Sequence, residues 1–195
     1  MMGGPSGISR GSNQFIKLKE VFAVEQNKWL AVSKKIDRIN EWIGRIFCFF
    51  VLPLTLVMVY EVIVRALGSP TLVSFELSNF FFGAHFMMLA AYGLLHNSHV
   101  SIDIFSTRFS PRTQAKILIF GYITMFFPFI IMLLYYGSIF AIRSWVTWEN
   151  SWSLWGPPIY PFKTVIPLTA ALLLLQGISE VIKKIAYLST KEVAK

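Results

Sequence analysis

Four long apolar stretches constrain this chain more than any motif in it. They run over residues 42–67, 75–95, 117–142 and 165–185. Each is long enough to cross a hydrocarbon core of about 30 Å, which takes roughly 20 helical residues. Hydrophobic residues make up 55% of the chain and charged ones 14%, too little charge to coat a soluble domain of this size. The sequence predicts an all-α membrane protein with four transmembrane helices.

Basic residues are distributed unevenly among the segments between these stretches. Of the 18 lysines and arginines, all but Arg65, Arg143 and Lys163 lie in the N-terminal segment, the second connection and the C-terminal tail, or at the ends of the apolar stretches that adjoin them. Because basic residues are retained on the cytoplasmic side, both termini are expected to be cytoplasmic. The pI near 9.7 then reflects topology and attraction to anionic phospholipid, and no nucleic-acid partner is expected.

The segment before the first span is expected to have two parts. Residues 1–14 are rich in glycine and serine, resemble no cleaved signal and are predicted to be disordered. Residues 15–41 are predicted to form an amphipathic arm that lies in the membrane interface. One face of its helix carries apolar residues at steps of three and four, namely Trp29, Val32, Ile36, Ile39 and Ile43. An arm that also docks on a partner subunit is the alternative.

The rest of the chain is divided into a four-helix transmembrane domain at 42–187 and a cytoplasmic tail at 188–195. Pro53 and Pro128 predict bends in the first and third spans. Ser74 is expected to cap the second span, and Ser110 with Pro111 to begin the third helix.

Glu61 and Arg65 stand near the end of the first span, one helical turn apart. The acid is on the N-terminal side, which is the better order for a helical ion pair. Glu61 lies roughly 27 Å along the helix axis from Ile43, near the outer interface. The sequence therefore predicts a structural clamp, which Glu76 is expected to join. A proton relay, which needs a carboxylate nearer mid-membrane, is the alternative.

Small residues fall on one face of the second span. Gly83, Ala84, Ala90 and Ala91 predict a close-packing seam, within the chain or against a partner. Gln176, the one strongly polar interior residue of the fourth span, suits a hydrogen bond between helices. We expect these five residues to take part in partner docking.

No cofactor or metal site is expected. His85, His96 and His99 lie on or just after the second span, and no other span supplies a histidine to face them across a haem. Zinc would need more ligands than Asp103 adds. His99 and Asp103 instead predict a loop fixed by an ion pair, a docking corner for a partner, or both.

Tryptophans cluster between the third and fourth spans, at Trp145, Trp148, Trp152 and Trp155. Their steps of three, four and three place them on one face if the third helix continues past the membrane. Tryptophan prefers the membrane interface, so an interfacial belt is the first interpretation. A contact surface for a partner subunit or an extracytoplasmic binding protein is the second.

Several motifs follow one another in a recognisable order. They are Tyr60-Glu61-Val62 with Arg65, Ser74-Phe75-Glu76-Leu77, Ala90-Ala91-Tyr92-Gly93-Leu94, Asn97-Ser98-His99-Val100-Ser101-Ile102-Asp103-Ile104, Trp155-Gly156-Pro157-Pro158 and Leu173-Leu174-Leu175-Gln176-Gly177. Over about residues 40–187 the chain resembles the small membrane subunit (DctQ type) of tripartite ATP-independent periplasmic (TRAP) transporters. Phe75 stands where that family often has an acid, so one of two neighbouring carboxylates is absent.

The resemblance implies a heterodimer in the bacterial inner membrane with a large (M-type) permease subunit. A periplasmic binding protein would deliver an organic acid for sodium-driven uptake. The small subunit would enlarge an immobile scaffold beside a moving substrate site. The Trp155-Gly156-Pro157-Pro158 form is similar to small subunits grouped with mannitol/chloroaromatic- or 2-oxoacid-type systems.

Two other functions are weighed against this one. The first is a self-contained four-helix exporter acting as a dimer, with Glu61 as the coupling carboxylate. The second is a membrane redox enzyme, although the lone Cys48 excludes a dithiol mechanism. No nucleotide-binding loop and no nucleophile–base pair marks the chain as an enzyme.

Overall fold

The computed structural model describes the backbone of residues 8–69, 71–96 and 110–193, and the side-chain surroundings of residues 27–69, 71–96 and 110–189. The helices are α1 (Ile8–Cys48), α2 (Val51–Ala66), α3 (Leu72–Leu95), α4 (Pro111–Gly121), α5 (Phe127–Val146), α6 (Tyr160–Lys163) and α7 (Val165–Val193). A π-helical turn, Tyr122–Phe126, joins α4 to α5. Within the described residues, four segments are long and apolar enough to cross a membrane, namely Asn27–Ala66, Leu72–Leu95, Pro111–Val146 and Tyr160–Ser189. The predicted four-helix membrane fold is confirmed.

The first span is interrupted one turn before Pro53. Helix α1 ends at Cys48 and α2 begins at Val51, with Phe49 and Phe50 in a turn between them. Proline has no N–H to donate, and its ring collides with the carbonyl four residues earlier, here that of Phe49. The interruption therefore lies where the proline displaces the regular hydrogen-bond ladder.

The third span has its irregularity just before Pro128. The N–H of Phe127 donates to the carbonyl of Tyr122, five residues back, which is the bond of a π turn. Ser110 caps the start of this span, since its hydroxyl accepts from the Thr113 N–H, and Pro111 occupies the first turn. Helix α3 begins one turn earlier than expected, with Thr71 rather than Ser74 at its N-cap.

Helix α7 is the centre of the bundle. It packs against α1, α3 and α5 along its length and also contacts α4 and α6, whereas α2 packs on α3. Met88 and Ala91 of α3 and Leu172 of α7 form the buried core, with Ile43 and Phe47 of α1 packed against it. Most outward-facing side chains of the spans are large and apolar, as a surface in contact with lipid requires.

The arm is the main departure from the expected organisation. Helix α1 begins at Ile8 and runs through residues 14 and 41, so no backbone boundary separates the expected disordered segment, the arm and the first span. Trp29 is 60% exposed, while Ser33 and Asn40 on another face are buried. From Ser33 onward the arm is part of the bundle and presents a polar face to α7.

Candidate functional site

Seven polar side chains meet where α1 crosses α7, and we name them the polar cluster. Its members are Ser33, Asp37 and Asn40 of α1 and Gln176, Ser179, Glu180 and Lys183 of α7. The members follow one another at steps of four and three in α1 and of three, one and three in α7, which keeps them on one side of each helix. The two polar stripes face each other inside the molecule.

An amide pair forms the innermost layer of the polar cluster. Asn40 Nδ2 donates to Gln176 Oε1 at 2.7 Å, and Gln176 Nε2 donates to Asp37 Oδ1 at 3.0 Å. A longer bond of 3.3 Å joins Gln176 Nε2 to Glu180 Oε1. Gln176 has no exposed surface, so each of these bonds replaces one that water would otherwise supply.

One lysine lies between the two carboxylates of the polar cluster. Lys183 Nζ is 2.8 Å from Asp37 Oδ2 and 2.7 Å from Glu180 Oε1. Ser179 Oγ donates to Asp37 Oδ1 at 2.8 Å and lies 2.6 Å from Ser33 Oγ. Buried ions are tolerated only when they are paired and hydrogen-bonded. Removing Lys183 would therefore leave the carboxylates of Asp37 and Glu180 close together without the cation they share.

The polar cluster lies at one end of the bundle. Leu172 of α7 packs beside Ala91 of α3, so Gln176, one turn later, is level with the last turn of α3. Nearby, His96 Nε2 lies 2.8 Å from Glu41 Oε2. Among the side chains that the structure describes, Asp37, Glu41 and Glu180 gather at this end.

The predicted clamp residues lie at the opposite end. Arg65 Nη2 is 2.9 Å from Glu61 Oε1, and Thr71 Oγ1 donates to the second oxygen of Glu61 at 2.5 Å. Because Thr71 is the N-cap residue of α3, this carboxylate joins the end of α2 to the start of α3. Glu76 does not join the pair. It accepts from Ser151 Oγ at 2.8 Å, and its other oxygen is buried without a hydrogen-bond partner among the described residues.

The residues expected to dock on a partner divide into two groups. Ala84, Ala91 and Gln176 are buried inside the bundle, so the structure places them against helices of the same chain. A side chain at Gly83, by contrast, would meet open space, and Ala90 is partly buried. For the three buried residues the docking expectation is corrected, because their surfaces are already covered.

The tryptophans do not share a helical face, because α5 ends at Val146 and the chain then turns. Trp145 Nε1 donates to Thr164 Oγ1 at 2.8 Å. The ring centroids of Trp145 and Trp148 lie 4.5 and 5.3 Å from that of Tyr160, while Trp152 is 99% exposed. In the arm, Trp29 is exposed and Ile36 is half-buried.

The connection from α5 to α6, residues 147–159, is named the tryptophan loop. Glu149 in this loop accepts from Lys163 Nζ at 2.5 Å, and Lys163 Nζ also lies 4.1 Å from the centre of the Phe140 ring. The hydrogen bond from Lys163 holds the pKa of the Glu149 carboxyl below its usual value of 4.5. The loop therefore carries an ionised acid at neutral pH that is paired rather than free.

The two histidines that the structure describes, His85 and His96, each hydrogen-bond to a residue of α1. His85 Nδ1 lies 2.8 Å from the Phe47 carbonyl oxygen, which ties α3 to the end of α1. His99 and Asp103, the expected docking corner, lie outside the described residues. Among the described residues, no three His, Cys, Asp or Glu side chains gather closely enough to hold a metal ion.

Of the seven members of the polar cluster, the sequence patterns predict only Gln176; the other six are Ser33, Asp37, Asn40, Ser179, Glu180 and Lys183. A signal for them exists. Polar residues at steps of four and three in α1 match polar residues at steps of three, one and three in α7. Because the arm also has an apolar stripe, the sequence favours a helix in the membrane interface, which would leave its polar side without a partner helix. Contact between the two polar stripes can be predicted only when α1 and α7 are known to be neighbours.

Comparison with known proteins gives one family. The family model described as "Tripartite ATP-independent periplasmic transporters, DctQ component" matches residues 54–186. Among proteins of curated function, none matches the chain. The matched range includes the Glu61–Arg65 pair, the tryptophan loop and the α7 half of the polar cluster. The α1 half lies before it.

Proposed function

Because the chain belongs to the DctQ family of TRAP transporters, we propose that it braces and anchors the large permease subunit for sodium-driven uptake of an organic acid. The family works within tripartite transporters, together with a large permease and a periplasmic binding protein. The chain is thus a membrane subunit of such a transporter. The bracing role, the driving ion and the class of substrate make up the proposal.

The distribution of carboxylates is the observation that carries the bracing role. The six whose surroundings the structure describes form two groups, Asp37, Glu41 and Glu180 at one end of the bundle and Glu61, Glu76 and Glu149 at the other. A carrier for ions or organic acids needs charged or polar binding groups near mid-membrane. Bonds at both ends instead fix the helices to one another, which suits a stationary support with no enzymatic activity.

The proposed orientation places both termini in the cytoplasm of a bacterial inner-membrane protein. It puts the polar cluster near the cytoplasmic surface and the tryptophan loop at the periplasmic surface. The surplus of lysine and arginine in the terminal segments and the second connection supports this orientation. A reporter fused after Lys195 should be active only in the cytoplasm, and export of that reporter would contradict the orientation.

Uptake in cells that lack this chain but retain the other two components tests the bracing role. We expect sodium-dependent uptake to fall to background, although the large subunit is still made and membrane-inserted. Supplying the chain from a second gene should restore uptake. Full uptake in its absence, with the large subunit at its normal level, would refute the role.

A further inference from the structure

The tryptophan loop exposes two large apolar side chains at its tip. Trp152 is 99% exposed and Leu154 is 93% exposed, more than any other large apolar residue that the structure describes. Apolar side chains that protrude this far are expected to contact either lipid or another protein. The rigidity of the loop distinguishes a lipid contact from a protein contact.

Backbone and side-chain bonds hold the base of the tip firmly. The Ser151 N–H donates to the Pro157 carbonyl at 2.8 Å, and the Ile159 N–H donates to the Glu149 carbonyl at 3.0 Å. Ser151 Oγ also donates to Glu76 of α3, which ties the loop to the bundle. Asn150 and Pro158 form a β-bridge between the two sides of the loop. The tip is therefore held by a hydrogen-bonded base, residues 149–151 and 157–159, which we name the frame.

Gly156 provides the turn by which the chain returns from the tip to the frame. Its φ of +59° is a left-handed conformation that side chains disfavour, and its N–H donates to Ser153 Oγ at 3.2 Å. A Cβ at this position would have space, since its nearest neighbours lie 3.9 Å away. A larger residue would thus disturb the loop through its backbone and not through a collision.

We propose that Trp152 and Leu154 insert into a pocket of the large permease subunit, in a permanent contact. A lipid surface adapts to any apolar shape and needs no frame, whereas a protein pocket binds a preorganised tip at lower entropic cost. Glu149 is neutralised by Lys163, so the loop offers no free charge. Permanent interfaces are more apolar than transient ones, which favours the permease over the binding protein. The inference depends on the proposed bracing role.

The test uses the full chain and the large subunit, co-reconstituted in lipid nanodiscs. The pair Trp152→Ala and Leu154→Ala should weaken the association of the two subunits by at least about tenfold. A control pair, Trp29→Ala and Leu67→Ala, removes the same apolar groups from exposed sites elsewhere. The control should weaken association far less, and an equal loss would overturn the inference.

A second variant tests the frame without removing any apolar group. Gly156→Val keeps both side chains but strains the loop, and it should also weaken association. Unchanged association would mean that shape is irrelevant, as it is for a lipid contact, and would overturn the inference. Thermal unfolding of each variant alone should show that the helical bundle still folds, with the strain of Gly156→Val confined to the loop.

A photocrosslinker placed at position 152 identifies the occupant. We expect one adduct, with the large subunit. An adduct with the binding protein or with a second copy of the chain, or a label found only on lipid, would overturn the inference. Subunits that associate normally after loss of the tip refute this contact and leave the bracing role standing. If the unaltered subunits do not associate at all, both fail.

Discussion

Asn40 Nδ2 donates to Gln176 Oε1 at 2.7 Å across the contact of α1 with α7, and both residues are buried. Because the same Gln176 amide also donates to Asp37, one side chain connects a neutral pair to a charged one. In lipid, where hydrophobic association is weak, such bonds and close packing hold helices together. The first and last spans are therefore joined by polar contacts as well as by the apolar core.

Gln176→Leu should destabilise the isolated chain by about 2–4 kcal/mol, since it leaves the buried Asn40 amide without its acceptor and removes one of the hydrogen bonds that Asp37 accepts. Thermal unfolding in detergent, followed by tryptophan fluorescence, measures the loss. Leu175→Ala, at a neighbouring exposed position of α7, is the control and should cost much less. Equal losses at the two positions would contradict the assigned bonds.

Lys183→Met should cost about 2–4 kcal/mol, because it leaves the carboxylates of Asp37 and Glu180 close together without their cation. Lys184→Met removes the same charge one residue later and should have little effect. Adding Asp37→Asn to Lys183→Met should recover part of the loss. A double variant less stable than Lys183→Met alone would show that the two residues do not act as a pair.

Gly44 of α1 lies against the Tyr92 side chain of α3. A Cβ at this position would lie 2.2 Å from Tyr92 Cδ2 and 2.6 Å from Tyr92 Cβ, so the ring cannot simply rotate away. Gly44→Ala should therefore destabilise the chain by about 1–3 kcal/mol. Gly83→Ala is the matched control, because its Cβ meets open space. Hydrogen exchange of α3 should rise in the first variant only.

The sequence predicts features that depend on one helix at a time. The length of the apolar stretches was enough for the four spans, and the spacing of Glu61 and Arg65 was enough to expect them to meet. Ser110 and Pro111 likewise carry their own capping signal. These features need no knowledge of which helices are neighbours.

Features that depend on two distant helices could not be predicted in this way. The partners of Ser33 and Asn40 lie 146 and 136 positions further along the chain. Glu76 was expected beside Glu61 because both lie near one membrane surface, yet the tryptophan loop brings Ser151 to it instead. The condition for a shared tryptophan face, a third helix that continues past the membrane, is not met because α5 ends at Val146.

The variant Glu61→Gln distinguishes the bracing role from the alternative function as a self-contained exporter. The Glu61 carboxylate pairs with Arg65 and accepts a hydrogen bond from Thr71 at the end of α2. Neutralising Glu61 should therefore lower thermal stability slightly and leave most uptake intact. An exporter that couples transport to this carboxylate would lose all activity. Uptake assays with the complete transporter, at matched subunit levels, measure the difference.

Acid should loosen the tryptophan loop through Glu149. The pKa of this carboxyl is lower in the folded protein than its usual value of 4.5, mainly because Lys163 donates to it. The stabilisation it gives is therefore fully present above pH 4.5 and is lost as the pH falls through the lower, folded value. Hydrogen exchange of the loop amides, corrected for intrinsic rates, should rise below pH 4.5 in the unaltered chain. Glu149→Gln should show fast exchange at every pH, and an acid transition that persists in this variant would assign the effect to another group.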